Sequence, residues 1–176
     1  MQSTAIECNR QRPSPVSIDE ASGRFILSTP RTAGGFAEGG PIDAGGLRAV
    51  VSGAPATVWA TSLDGEPLER SSRILVAHLT DVQPREALYA DDERTILLDW
   101  GTPQPLVMRR GRADIAISVS VDAGAQPPSF AVFALSADGS RRQAIPASHA
   151  NGRLSFTAEV ERDISSATWL YEVERK

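Results

Sequence analysis

The chain has 176 residues, a single cysteine and a formal net charge of -4, with 41% hydrophobic and 23% charged residues. That length fits one domain with a sizeable core, and the acidic balance argues against a nucleic-acid partner, which would call for concentrated basic charge. Cys8 alone allows no internal disulfide, and the sequence contains no apolar run near the roughly 18 residues of a membrane span, so no membrane partner is expected.

Residues 1–15 are polar and end in Arg12-Pro13-Ser14-Pro15, the composition of a flexible tail or linker, which leaves 16–176 as the domain. The opening residues show neither the basic nor the apolar region of a secretion signal. Either the chain acts inside the cell or a longer, secreted or periplasmic parent carries the signal upstream; the second is the expectation.

Beyond residue 15 the chain becomes short apolar runs broken by turn residues. Three glycine pairs, Gly34-Gly35, Gly39-Gly40 and Gly45-Gly46, surround Phe36 and Ile42. They predict a loop or bulged strand held close to another surface, with both apolar side chains left exposed. In Ala56–Thr61, alternation sets Trp59 on the face opposite Val58, so Trp59 should point outward. In Ile74–Asp81, His78 shares a face with Ile74 and Val76, which predicts a structural histidine bonded within the fold. Residues Pro84 to Asp92 are the best helical candidate, two turns at most, and Asp91-Asp92-Glu93 reads as an exposed loop before a strand over Thr95–Trp100.

The clearest strand is Asp114–Val121, which puts Ile115, Ile117, Val119 and Val121 on one face. Phe130–Leu135 is apolar on both faces and predicts a central strand covered on both sides. Leu154–Val160 alternates again, and Trp169, Tyr171 and Val173 fall on one side of the closing run. Turn dipeptides at Asp64-Gly65, Arg110-Gly111, Asp138-Gly139 and Asn151-Gly152 separate these runs. Strands at such intervals predict an all-β fold, an antiparallel β-sandwich with short hairpins and little helix.

Candidate chemistry is sparse. A small hydrolase would need His78 beside Asp81 or Asp99, and His149 reads as solvated in the turn Ser148–Gly152. Paired carboxylates of a glycosidase type lack a sequence context that marks one as the acid, so no catalytic residue is assigned. Cys8 and two scattered histidines cannot compose a zinc site, and Asp91–Glu93 lacks the spacing of a calcium loop, so no metal or other cofactor is expected. Exposed rings bear on sugar binding, for which Trp59, Tyr89 and Trp100 are the candidates.

Several ordered segments carry a resemblance. Gly23-Arg-Phe-Ile-Leu-Ser-Thr-Pro-Arg-Thr32 with its glycine-rich sequel, Ala56–Leu68, Ser72–Asp81, Thr95–Gly101 and Val132–Arg141 together resemble the C-terminal β-sandwich accessory domain of bacterial TIM-barrel glycoside hydrolases. The resemblance covers residues 16–175 and implies a domain that packs on a catalytic barrel and stabilises it. It carries no catalytic residue onto this chain, because acid and nucleophile sit at strand ends of the barrel, a unit of about 250 residues. The chain alone is therefore expected to be non-catalytic. Its expected partner is a barrel in cis, with Phe36, Ile42 and Trp59 as interface candidates. An independent carbohydrate-binding module using Trp59, Tyr89 and Trp100 is the alternative, and the small hydrolase is the third.

Overall fold

A computed structural model of the chain describes residues 14–92, 94–120, 128–160 and 168–176. Most of the expected tail, with Cys8, lies outside the described residues, as do Glu93 and Val121. Pro15, expected in the tail, already accepts a hydrogen bond from the Ser28 N–H at 2.7 Å.

Among the described residues every regular element is a strand. In chain order β1 (Val16–Asp19), β2 (Arg24–Ser28), β3 (Thr32–Ala37), β4 (Gly40–Ala44), β5 (Leu47–Ser52), β6 (Ala56–Ser62) and β7 (Arg73–Leu79) come first. An excursion of short strands follows: β8 (Val82–Arg85), β9 (Leu88–Tyr89), β10 (Leu97–Asp99) and β11 (Thr102–Met108). Then come β12 (Gly111–Ser118), β13 (Phe130–Leu135), β14 (Arg141–Ile145), β15 (Ala147–Ala150), β16 (Arg153–Val160) and β17 (Leu170–Arg175).

Two antiparallel sheets make the sandwich, an eight-stranded one in the order β1-β2-β3-β6-β7-β17-β13-β14 and a five-stranded one in the order β15-β16-β12-β5-β4. Period-two alternation drives their stacking. Val58, Ile74, Val76, Tyr171 and Val173 of the larger sheet share one buried cluster with Leu47, Val51, Ile115, Ile117, Leu154 and Phe156 of the smaller. Each such side chain contributes roughly 1.5–3 kcal/mol on burial. The Tyr171 hydroxyl ties the layers together: it accepts from the Glu159 N–H at 2.9 Å and donates to the Glu159 carbonyl at 3.2 Å.

The turns follow the chemistry of their dipeptides. Asn151 and Gly152 both have positive φ, 52° and 69°, the two-residue connection that matches the twist of the β15–β16 hairpin. Between β6 and β7 the Asp64 carboxylate accepts from the hydroxyls of Ser62, Ser71 and Ser72 and from the Ser72 N–H at 2.6 Å. These bonds, that of the Ser72 hydroxyl foremost, hold its carboxyl far below the usual range.

Two expectations fail and a third holds. The helix over Pro84–Asp92 is absent: Val82, Gln83 and Pro84 pair with Met108, Val107 and Leu106 as a ribbon, where Pro84 costs little because a two-stranded ribbon has free edges. The strand expected over Thr95–Trp100 shrinks to Leu97–Asp99, with a register shift between its two pairs, Leu97 with Tyr89 and Asp99 with Leu88. Phe130–Leu135 is an interior strand as expected: β13 pairs with β17 on one side and β14 on the other, and none of its residues is exposed. Its outward Phe133 is covered by the Arg141 guanidinium, 4.2 Å from the ring centroid, which is why the run reads as apolar on both faces.

Candidate functional site

His78 sits where alternation puts it, fully buried beside Ile74 and Val76 on the inner face of β7. The expected bonding is missing: its backbone N–H reaches the Trp169 carbonyl at 2.8 Å, but neither ring nitrogen has a partner among the described residues. Burial pushes its pKa down to about 4, so the ring is neutral at pH 7. The aspartates proposed beside it are engaged elsewhere. Asp81, on the surface, pairs with Arg94, and the Asp99 carboxylate accepts from the Gly101 N–H at 2.9 Å. His149 is not a turn residue but part of β15, half-buried and edge-on to Phe130 with centroids 5.0 Å apart.

The same alternation fixes the outer face of the eight-stranded sheet. Phe25 lies opposite Phe36, Gly34 opposite Trp59, and Trp59 opposite Ala77, so Phe25, Leu27, Phe36, Trp59, Leu75 and Leu79 share that face. Trp59 stacks edge-on against Phe25 at 5.9 Å and lies across Gly34. A Cβ on Gly34 would come within 2.4 Å of both the Trp59 ring and the Val58 carbonyl oxygen, so only glycine fits beneath the indole. Trp59 and Phe36 are outward and half-buried.

Ile42, grouped with them from the sequence, is fully buried. The glycine-rich stretch is two strands rather than a loop, and β4 pairs with β5 so that Ile42 and Ala44 turn inward. The far half of the outer face is charged and internally paired. Glu172 binds Arg141 at 2.6 Å and Arg73 at 2.7 Å, Arg141 foremost holding its carboxyl below the usual range, and Arg141 reaches Glu174 at 3.2 Å.

The most exposed apolar surface lies on neither sheet. Of the eleven large hydrophobic residues that stand exposed among the described residues, six fall within the excursion between β7 and β12: Val82, Leu88, Ile96, Leu98, Trp100 and Leu106. This arm consists of two small sheets, β8 with β11 and β9 with β10. Its base is closed by the Arg109 N–H on the Asp81 carbonyl at 2.8 Å and by the Thr80 hydroxyl on the Arg109 carbonyl at 2.6 Å. Register puts Val82, Pro84, Leu106 and Met108 on one face of the ribbon, and Gln83 and Val107 on the other. Val82 and Leu106 are each 54% exposed and Trp100 reaches 72%.

The three candidate sugar rings occupy separate elements: Trp59 on β6 against Phe25, Tyr89 on β9 with the Arg94 guanidinium 5.5 Å from its centroid, and Trp100 after β10. Of the acidic triplet, Asp91 accepts from the Thr95 hydroxyl and N–H, which holds its carboxyl below the usual range. Asp92 is exposed, and Glu93 lies outside the described residues. Among the described residues, no group of three or more histidine, cysteine or carboxylate side chains gathers as a metal would need.

Sequence inspection passed over Gln83, Arg94 and Arg109, which the arm brings beside Tyr89. The period-two pairs Val82/Pro84 and Leu106/Met108 were the available signal for the ribbon that positions them. No family model, no curated protein and no solved structure matches the chain, so its function has to be drawn from this geometry.

Proposed function

We infer that the chain is a non-catalytic accessory domain of a glycoside hydrolase that packs on and stabilises a catalytic barrel. The observation that carries this is the arm. A two-stranded ribbon is marginal by itself in water, yet this one turns Val82, Pro84, Leu106 and Met108 to one face and leaves Leu88, Ile96, Leu98 and Trp100 exposed nearby. Apolar surface gathered this way marks a contact site. Among these, an exposed tryptophan such as Trp100 is the kind of side chain that anchors protein interfaces. The half-buried Phe25, Phe36 and Trp59 on the sheet's outer face extend the apolar surface available to such a partner. The type of partner comes from the resemblance of residues 16–175 to sandwich domains that accompany glycosidase barrels.

The test is reconstitution. The reading frame upstream of residue 1 is translated for a barrel of about 250 residues, which is produced as a separate polypeptide and mixed with this chain. A complex with a Kd below about 1 μM is expected on sizing or calorimetry. Leu98→Asp combined with Leu106→Asp should weaken it at least tenfold without altering the far-UV spectrum. A frame that encodes no barrel, or a barrel that elutes apart from this chain, defeats the proposal.

A further inference from the structure

We propose that β1 is a docking edge for a second copy of this chain, the two β1 strands pairing antiparallel about a two-fold axis at Ser17 to make one continuous sheet. Among the described strands, β1, β4, β14 and β15 edge the two sheets. An edge invites pairing with another chain unless charge, proline or a bulge blunts it. Three of these edges are blunted: β4 contains Pro41, β14 opens on Arg141 and Arg142 beside a bulged ladder, and β15 is entered through Pro146. β1 has no proline and its register with β2 is unbroken from Val16 to Asp19. Its one charge, Asp19, is drawn back onto its own turn by the Ser22 hydroxyl and the Ala21 N–H. All four residues are exposed, Val16 by 39% and Ile18 by 67%, so no described part of the chain overlies the strand.

The backbone decides which pairing fits. The Ser28 N–H donates to the Pro15 carbonyl at 2.7 Å. In an antiparallel ladder such bonding alternates, so residues 15, 17 and 19 turn their backbone groups to β2, and Val16 and Ile18 turn theirs outward. The Val16 N–H meets only a long, exposed bond to the Ser14 hydroxyl, at 3.3 Å. Setting Val16 against Ile18 of the second copy uses both outward residues of each strand and closes four N–H···O bonds about the axis. It also keeps the faces in step. Val16 and Ile18 stand on the same face as Leu27 and Phe25, so each Val16 packs beside an Ile18 across the seam. A slip of one residue would set outward groups against residues whose own groups are committed to β2. In the proposed register Asp19 falls opposite Pro15 and Ser17 opposite Ser17, so no like charges meet.

Four residues a side bury far less than the roughly 1,200–2,000 Å² of a stable complex, so the dimer is weak and reversible, with a Kd on the order of 0.1–1 mM. The experiment follows the full chain by sedimentation equilibrium up to about 1 mM, and by oxidative cross-linking in a Cys8→Ser background. Ser17 and its copy form a non-hydrogen-bonded pair with Cα atoms about 4.5 Å apart, within the reach of a disulfide. The same pairing holds the two Asp19 positions about 14 Å apart, four residues of strand rise. Ser17→Cys should therefore cross-link at least about tenfold faster than Asp19→Cys. Ile18→Lys, at a position the fold leaves in solvent, should abolish the dimer and slow the Ser17→Cys link to the Asp19→Cys rate. A chain that stays monomeric at the highest concentration overturns the proposal, as do equal rates for the two cysteines or an Ile18→Lys variant that associates like the parent. Association lost in Trp100→Ser but kept in Ile18→Lys assigns it to the arm, and a dimer that forms only once residues 1–13 are removed makes those residues the occupant of the edge; either result also overturns it. Because β1 is no part of the arm, the outcome leaves the barrel-docking proposal standing, and the reverse holds too.

Discussion

The sandwich and the arm are built from the same kind of strand and handle their apolar side chains in opposite ways. In β12 each inward residue, Ala113, Ile115 and Ile117, is buried against the facing sheet, while Arg112 and Asp114 pair with each other outside at 2.7 Å. In β8 and β11 the ribbon also sorts its residues by face, but Val82 and Leu106 remain more than half exposed. Sorting without covering is the difference. The sandwich meets the requirement that a sheet bury one face within the chain, and the arm meets it only if something else lies against it. Stability should therefore reside in one region and recognition in the other.

The largest expected effect tests the stable region. Ile117→Ala removes three carbons from the centre of the core, and urea unfolding should show a loss of about 2–5 kcal/mol. A loss below about 1 kcal/mol would mean that the two sheets do not pack as closely as the buried cluster indicates.

The second effect comes from His78 and follows pH. Its folded pKa of about 4 lies below the ordinary value of 6.5, so the unfolded chain takes up a proton that the folded chain refuses. Stability is fully present above pH 6.5 and is lost as pH falls towards 4, by about 3 kcal/mol in all. His78→Leu should flatten the profile over that window and be no less stable than the parent at pH 7, since it removes two ring nitrogens that have no partner among the described residues. A profile that keeps its slope in His78→Leu would place the titrating group elsewhere in the molecule.

These two residues also show what the sequence made legible. Ile115, Ile117, Leu154 and Phe156 could be placed inward because each has polar or small neighbours at odd spacing, and one period decides the face. His78 could be placed inward for the same reason, but its lack of partners could not be seen, because bonding depends on strands distant in sequence. Ile42 was misjudged because the glycine pairs read as a loop or bulged strand that leaves its apolar side chains exposed; only the pairing of β4 with β5 turns that residue in. Within the arm, Pro84 to Asp92 was taken for two helical turns at most. The ribbon depends on Val82–Pro84 meeting Leu106–Met108 across some twenty intervening residues, which local patterning does not register.

A smaller effect should appear where β6 turns into β7. Asp64→Ala leaves the Ser72 N–H and three serine hydroxyls without their common acceptor. The site is open to water, so solvent replaces part of what is lost, and the expected cost is about 1–2 kcal/mol by urea unfolding. Asp64→Asn should recover less than half of it. The Asp64 carboxyl is held well below its ordinary range, so its contribution is present above about pH 4 and fades only as pH falls below that value. It thus separates from the His78 window. Should Asp64→Ala melt with the parent, the serine cage would have to be counted as decoration on a turn that Gly65 already fixes.

The smallest expected effect bears most directly on the comparison. Trp100→Ser and Leu98→Ser change residues that are 72% and 61% exposed, and surface substitutions of that kind stay within about 0.5 kcal/mol. For a domain of this length that is a melting shift of about 2 °C or less. The same two changes should visibly lower the fluorescence of a hydrophobic dye bound to the folded chain, and should reduce self-association at high concentration. Trp59→Ser is the control on the sandwich: its indole packs on Phe25 and seals Gly34, so it should cost more stability than Trp100→Ser while changing dye binding less. If Trp100→Ser instead destabilised the chain by 1 kcal/mol or more, the indole would be packed against the body of the protein. The arm would then belong to the self-contained region, and the contrast between the two would disappear.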